Sequence, residues 1–163
     1  LKDDISEHLK VDATNVHTMI IGEHGDSEVP VWSVTNIAGV PLNDFCELRG
    51  HKNHKEAMQK IYEDVRDSAY KIIERKGATY YGVAMAVTRI VRCLARDEHA
   101  VLPISVPLHG QYGIDGVHLS IPTVLGKNGI ETVLEMPLNG SEQVALIKSA
   151  DALKAIIAEV EKT

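Results

Sequence analysis

The sequence predicts an α+β domain in which an antiparallel sheet packs against long helices. Three observations carry this reading. Between Lys55 and Lys76, apolar residues recur every three or four positions among charged ones, which is a helical period. From Ala100 to Met136 the pattern changes to three runs rich in Val, Ile and Leu. They are separated by turns bearing Gly110, Gly113, Gly116, Gly126 and Gly129, and they read as an antiparallel meander. A helical pattern then returns and closes the chain.

Taken in order, Leu1, Ile5 and Leu9 share one face of an opening helix, and Asp12 and Asn15 suit a turn over Val11 to Asn15. Val16 to Ile21 is an apolar run that reads as one strand. Gly39 and Pro41 break regular structure before a short helix from Leu42 to Leu48. His51 to His54 reads as an exposed loop. Its two histidines lack the third ligand that a zinc site needs, and no metal is expected.

Lys55 to Lys76 reads as one long amphipathic helix, with Arg75 and Lys76 in its last turn and Gly77 as its left-handed stop. A second helix, Tyr81 to Arg96, carries apolar residues nearly all round and is expected to be buried. Between the two, Thr79 suits either a cap of the second helix or a hydrogen-bond donor at a pocket wall. In the meander, Pro103, Pro107 and Pro122 point to edges or bulges. Ser141 is expected to start the closing helix, whose apolar residues are Leu146, Ala150, Leu153, Ile157 and Val160.

With 163 residues, the chain can form one domain with a sizeable core or one half of a larger enzyme. A net charge of −6 argues against a nucleic-acid partner, and no apolar run is long enough to span a bilayer. Cys46 and Cys93 fit neither a disulfide framework nor a zinc site, so a reduced, cytoplasmic protein is the simplest reading. No Gly-x-Gly-x-x-Gly fingerprint is present.

The stretch richest in chemistry runs from Ile20 to Trp32. Gly22 and Gly25 flank His24 and let the chain bend sharply, so that an imidazole able to give and take a proton near neutral pH is presented outward. A surface histidine in a turn is the plainer alternative.

Gly22-Glu23-His24-Gly25-Asp26-Ser27, with Asn15-Val16-His17 before it and Pro30-Val31-Trp32-Ser33 after it, resembles the active-site segment of L-lactate dehydrogenases. Lys76 to Gly82, Val65 to Tyr70 and the run from Gly129 onward are similar to the same family, so the resemblance covers essentially the whole chain. It implies the C-terminal, substrate-binding domain over residues 1–163, with an NAD-binding Rossmann domain preceding it. It also implies a cytoplasmic, homotetrameric enzyme of glycolysis and fermentation. In that family a hydride moves between lactate and NAD while a histidine carries the hydroxyl proton, and His24 matches that histidine. Thr79 matches a substrate-pocket threonine and Val83 an apolar residue behind the nicotinamide ring. Asp26 is assigned to shaping the turn.

The carboxylate that orients the histidine and the arginines that grip and polarise the substrate match no residue of this chain. The isolated chain is therefore expected to be inactive. His17 matches a histidine that binds fructose 1,6-bisphosphate in many bacterial members, and its companion arginine falls on Lys2. Lysine keeps the charge without the two-pronged geometry. A strand histidine with a local partner is the alternative. Malate dehydrogenases share the histidine loop, although Ser27 to Trp32 favours the lactate group, and another 2-hydroxyacid dehydrogenase is the weaker alternative. A free-standing binding or assembly domain that reuses the fold is the reading from another class.

Overall fold

In the computed structural model, which describes residues 1–162, the chain begins with helix α1 (Lys2–Leu9). Ile5 and Leu9 are fully buried, as their spacing requires. The Asp12 carboxylate accepts the Thr14 N–H at 2.7 Å and so makes the expected turn.

The apolar run after it is not one strand but two, β1 (Val16–His17) and β2 (Ile20–Ile21). They belong to different sheets. β2 pairs with β3 (Val29–Pro30), and β1 pairs with β4 (Asn36–Ile37), all antiparallel. The split arises because two cores compete for the run. Val16 packs with Ile5, Leu9, Ile37, Cys46 and Met58, whereas Ile21 packs with Leu108, Leu119, Ile121 and Leu146. At the crossing, the Thr18 and Thr35 hydroxyls share a 2.9 Å hydrogen bond and the Met19 carbonyl accepts the Val31 N–H at 3.0 Å.

Gly39 and Pro41 do not abolish regular structure either. Ala38 and Gly39 both have positive φ, 50° and 86°, as a tight primed hairpin turn demands. They join β4 to β5 (Val40–Pro41) ahead of helix α2 (Leu42–Leu48). The loop at His51 ends in a buried residue, for His54 opens helix α3 (His54–Arg66). Its Nε2 lies 3.1 Å from Asn43 Oδ1 and its Nδ1 lies 3.2 Å from the His51 carbonyl oxygen. Both ring nitrogens are engaged in packing the loop.

The expected long helix bends at Asp67 into α3 and α4 (Ser68–Lys76). The apolar period runs unbroken across the bend, so periodicity carried no sign of it. Asp67 keeps its N–H on Glu63 and accepts from Lys71, while its carboxylate takes the Arg66 Nε–H at 2.9 Å. Gly77, at φ 77°, ends α4 as expected.

Helix α5 (Tyr81–Arg96) has the expected bounds but not the expected burial. Only Cys93 is buried, its Sγ–H donating to the Leu125 carbonyl, and Val83, Met85, Val87 and Val91 are each more than half exposed. An apolar helix needs cover on every side, and this chain covers α5 only near its C-terminal end. Nor does Thr79 cap it: Tyr80 holds the cap position, without a side-chain hydrogen bond.

The meander is as the sequence indicates, β6 (Ala100–His109), β7 (Asp115–Gly126) and β8 (Gly129–Val133) in that order, antiparallel. Pro107 adjoins a bulge and Pro103 lies on an edge strand, but Pro122 sits on the central one. It faces Pro103 directly. Alternate pairs in an antiparallel ladder exchange no bonds, and two residues without N–H groups suit such a pair. The closing helix α6 (Gly140–Val160) starts one residue before Ser141, because Asn139 caps it in a reciprocal capping box with Glu142. Leu146 and Ala150 are buried, whereas Ile157 and Val160 are exposed.

At the far end of the meander, His99 lies between Glu131 (2.9 Å) and Asp97 (3.5 Å). The Glu131 carboxylate, with Asp97 behind it, holds the His99 imidazole above its ordinary value. A raised histidine adds stability fully below its unfolded value of about 6.5 and loses that contribution as pH rises through the raised folded value. Thermal unfolding should therefore show a decline in melting temperature as pH rises above about 6.5 that His99→Gln flattens.

Candidate active site

The His24 loop spans residues 22–28, between β2 and β3, and is fixed from beneath. Gly22 exchanges two backbone bonds with Ser120 of β7, at 2.9 and 2.8 Å. Its φ is 98°, and a Cβ there would lie 2.7 Å from Ser149 Oγ. Ser149, fully buried on α6, accepts the Glu23 N–H at 2.8 Å. The Glu23 carboxylate folds back to accept both the N–H and the hydroxyl of Ser27 at 2.9 Å. A Cβ at Gly25 would come within 2.6 Å of Glu23 Oε1, so a larger residue there would push the Glu23 carboxylate from its place. Glu23, Gly25 and Ser27 thus face inward, and His24 and Asp26 alternate with them as the exposed residues.

From the outer side, the Tyr62 hydroxyl donates to the Glu28 carbonyl at 2.6 Å and the Tyr70 hydroxyl to Asp26 Oδ1 at 2.9 Å. Between loop and helices lies a cleft of about 350 Å³ lined by His24, Asp26, Glu28, Arg66, Ser68 and Tyr70, among others. Burial raises the half-buried Glu28 carboxyl above its ordinary range, and His24 opposes that rise. Burial likewise raises the Tyr62 phenol, while the Asp26 hydrogen bond raises that of Tyr70. The cleft therefore brings together an imidazole open to solvent, a guanidinium and two carboxyl groups. Such a set can exchange a proton with an anionic molecule lodged beside it.

The other residues singled out from the sequence fall elsewhere. Thr79 and Val83 are exposed, at the end of the α4–α5 connection and in the first turn of α5, and neither lines the His24 cleft. Lys2 and His17 do come together. Both line a cleft of about 250 Å³ between α1 and β1, with Thr18 and Asn36. Among the described residues, one group of three metal-capable side chains lies within 4.8 Å, namely Asp97, His99 and Glu131. Lys127 approaches Asp97 at 3.6 Å, so the group is knitted into a surface ion-pair network outside both clefts. Tyr62, Tyr70, Glu28 and Ser149 are the site residues that the sequence did not reveal. Their partners lie 34 or more positions away in the chain, and no local pattern announces such contacts.

Comparison with known proteins bears on the whole of this arrangement. The family described as lactate/malate dehydrogenase, alpha/beta C-terminal domain, matches residues 1–163. The chain belongs to the lactate/malate dehydrogenase family. It is 52% identical over 153 residues to an L-lactate dehydrogenase of Acetivibrio thermocellus, a match covering 94% of this chain and 48% of that protein. The structure is similar to the ligand-bound minor L-lactate dehydrogenase of Enterococcus mundtii (TM-score 0.91, 36% identity), covering 98% of this chain and 50% of that one. It is also similar to the malate dehydrogenase of Aeropyrum pernix (TM-score 0.86, 29% identity), covering 97% and 49%. The chain thus spans about half the length of the lactate/malate dehydrogenases it matches. Among its described residues, no helix is long and apolar enough to cross a membrane.

The support under the histidine loop of this lactate/malate dehydrogenase domain is open to test. Gly22→Ala places a Cβ against Ser149 at a positive φ and should lower stability by about 1–3 kcal/mol, read as a shifted urea midpoint.

Proposed function

We propose that the chain is the catalytic domain of an NAD-dependent L-lactate dehydrogenase that interconverts L-lactate and pyruvate together with a nucleotide-binding domain. What carries the reading is His24, held outward at a cleft by inward-facing neighbours, in a chain about half identical to L-lactate dehydrogenases. NAD, when bound, takes or supplies the hydride. His24 accepts the hydroxyl proton of lactate on a ring nitrogen and, in the reverse direction, returns it to the carbonyl oxygen of pyruvate. Arg66 makes the cleft more favourable to an anion.

This chain offers NAD an apolar surface rather than a phosphate cradle. Val83 is 57% exposed among other uncovered apolar side chains of α5, a surface suited to one face of the nicotinamide ring. Thr79, exposed and not used as a helix cap, keeps its hydroxyl available to the substrate. The uncovered apolar residues of α5 and of the end of α6 suit burial against the nucleotide-binding domain and further subunits in a cytoplasmic homotetramer. Malate dehydrogenase is the alternative, favoured by the likeness to the Aeropyrum pernix enzyme.

In the full-length protein, NADH oxidation with pyruvate should exceed that with oxaloacetate. His24→Gln should lower kcat/KM by about 10²- to 10⁴-fold, and residues 1–163 alone should show no turnover. Preference for oxaloacetate would move the assignment to malate. Lys2 and His17, sharing one cleft, are a candidate effector site for fructose 1,6-bisphosphate. The bisphosphate should lower the KM for pyruvate, and His17→Ala should abolish the response; an unchanged KM in the unsubstituted enzyme would remove the effector role.

A further inference from the structure

The inner side of the His24 loop is tied to buried, rigid groups, but its outer side is tied to two tyrosines on different helices. Tyr62 on α3 takes the carbonyl of Glu28, and Tyr70 on α4 takes the side chain of Asp26. The bend at Asp67 lies between them. Any swing of α4 about that bend moves the anchor of Asp26 while leaving the anchor of Glu28 in place, and so changes the pitch of the loop beside His24. We propose that Tyr62 and Tyr70 are positioning residues for the proton-transfer group, through which the angle between α3 and α4 sets the placement of His24 over the cleft. This rests on the reading of His24 as the proton carrier.

The two bonds differ in what they supply. Tyr62 is partly buried, and its bond to a backbone carbonyl is short, so it serves both stability and placement. Tyr70 is 59% exposed. A hydrogen bond so open to water adds little to folding, because water replaces it at nearly equal free energy. Its remaining effect is geometric, and placement matters steeply for a group that must meet a reacting atom within hydrogen-bond reach. A purely structural tyrosine would show the opposite pattern, with stability lost and chemistry unaffected. The other charged groups about the cleft are Glu23 and Glu28 on the loop and Arg66 and Asp67 at the bend, and all are retained in a Tyr70→Phe protein.

The experiment uses the full-length protein with Tyr70→Phe, Asp26→Ala, Asp26→Asn and the Tyr70→Phe/Asp26→Ala double variant. The quantities read are kcat and KM for pyruvate, hydrogen–deuterium exchange of residues 22–31 and the melting temperature. Tyr70→Phe should lower kcat about tenfold with KM nearly unchanged, and should speed exchange of the loop several-fold while the melting temperature holds. Asp26→Asn keeps an oxygen acceptor and should retain the slow exchange that Asp26→Ala loses. The double variant should lose no more kcat than the larger single loss. Loop exchange and kcat in Tyr70→Phe equal to those of the unsubstituted protein would overturn the proposal, as would additive losses in the double variant. An unsubstituted protein that reduces neither pyruvate nor oxaloacetate would instead overturn the functional reading, whatever the exchange data show.

Discussion

The interaction on which the rest of the site depends is the meeting of Gly22, Ser120 and Ser149. Three elements distant in sequence converge there: the end of β2, the middle of β7 and the middle of α6. Because Gly22 has no side chain, the Ser149 hydroxyl can reach past it to the Glu23 N–H, and the loop lies directly on the core. Every inward-facing group of the loop then finds a partner, and the imidazole is left on the outer side. The exposure of His24 is therefore a product of packing beneath it rather than of looseness around it.

That arrangement also separates support from reactivity. The groups that fix the loop, Glu23, Ser27 and Ser149, bond with one another and with backbone. Those that face the cleft, His24, Glu28 and Arg66, are left to respond to whatever occupies it. Glu28 belongs partly to both sets. Its carbonyl is gripped by Tyr62 while its carboxyl, lifted by burial, stands in the same cleft as His24. A carboxyl whose charge burial makes costly and a neighbouring imidazole eases makes the cleft sensitive to a second negative charge brought in by a ligand.

The sequence carried most of the architecture because its strongest signals were local. The meander, Gly77 as a helix stop and the bounds of α5 follow from residue patterns over short windows. What it could not carry was tertiary choice. Val16 to Ile21 is one apolar run by composition and two strands in space, because separate cores claim its two ends. The bend at Asp67 interrupts no periodicity. Helix α5 has the residues of a buried helix, and the described residues cover it only near its C-terminal end. For the site, the glycines around His24 were legible as a sharp turn, whereas Tyr62, Tyr70 and Ser149 enter only through contacts that the fold creates.

The division into two cores bears on how the domain comes apart. The two cores meet across polar contacts, among them the Thr18–Thr35 pair, the Met19–Val31 backbone bond and the Tyr62–Glu28 bond, and a polar seam between apolar cores is where partial opening is expected. The His24 loop straddles that seam. Its footing on Ser120 and Ser149 belongs to the meander and closing helix, while Tyr62 sits on α3, whose Met58 and Ile61 pack into the other core. If the lobe of α1 to α3 loosens while the meander stays whole, the histidine keeps its foundation and loses its brace. A molecule in that half-open condition would still bear His24 on a folded sheet, yet no longer held at the cleft, so on warming the site would lose its geometry before the sheet unfolds.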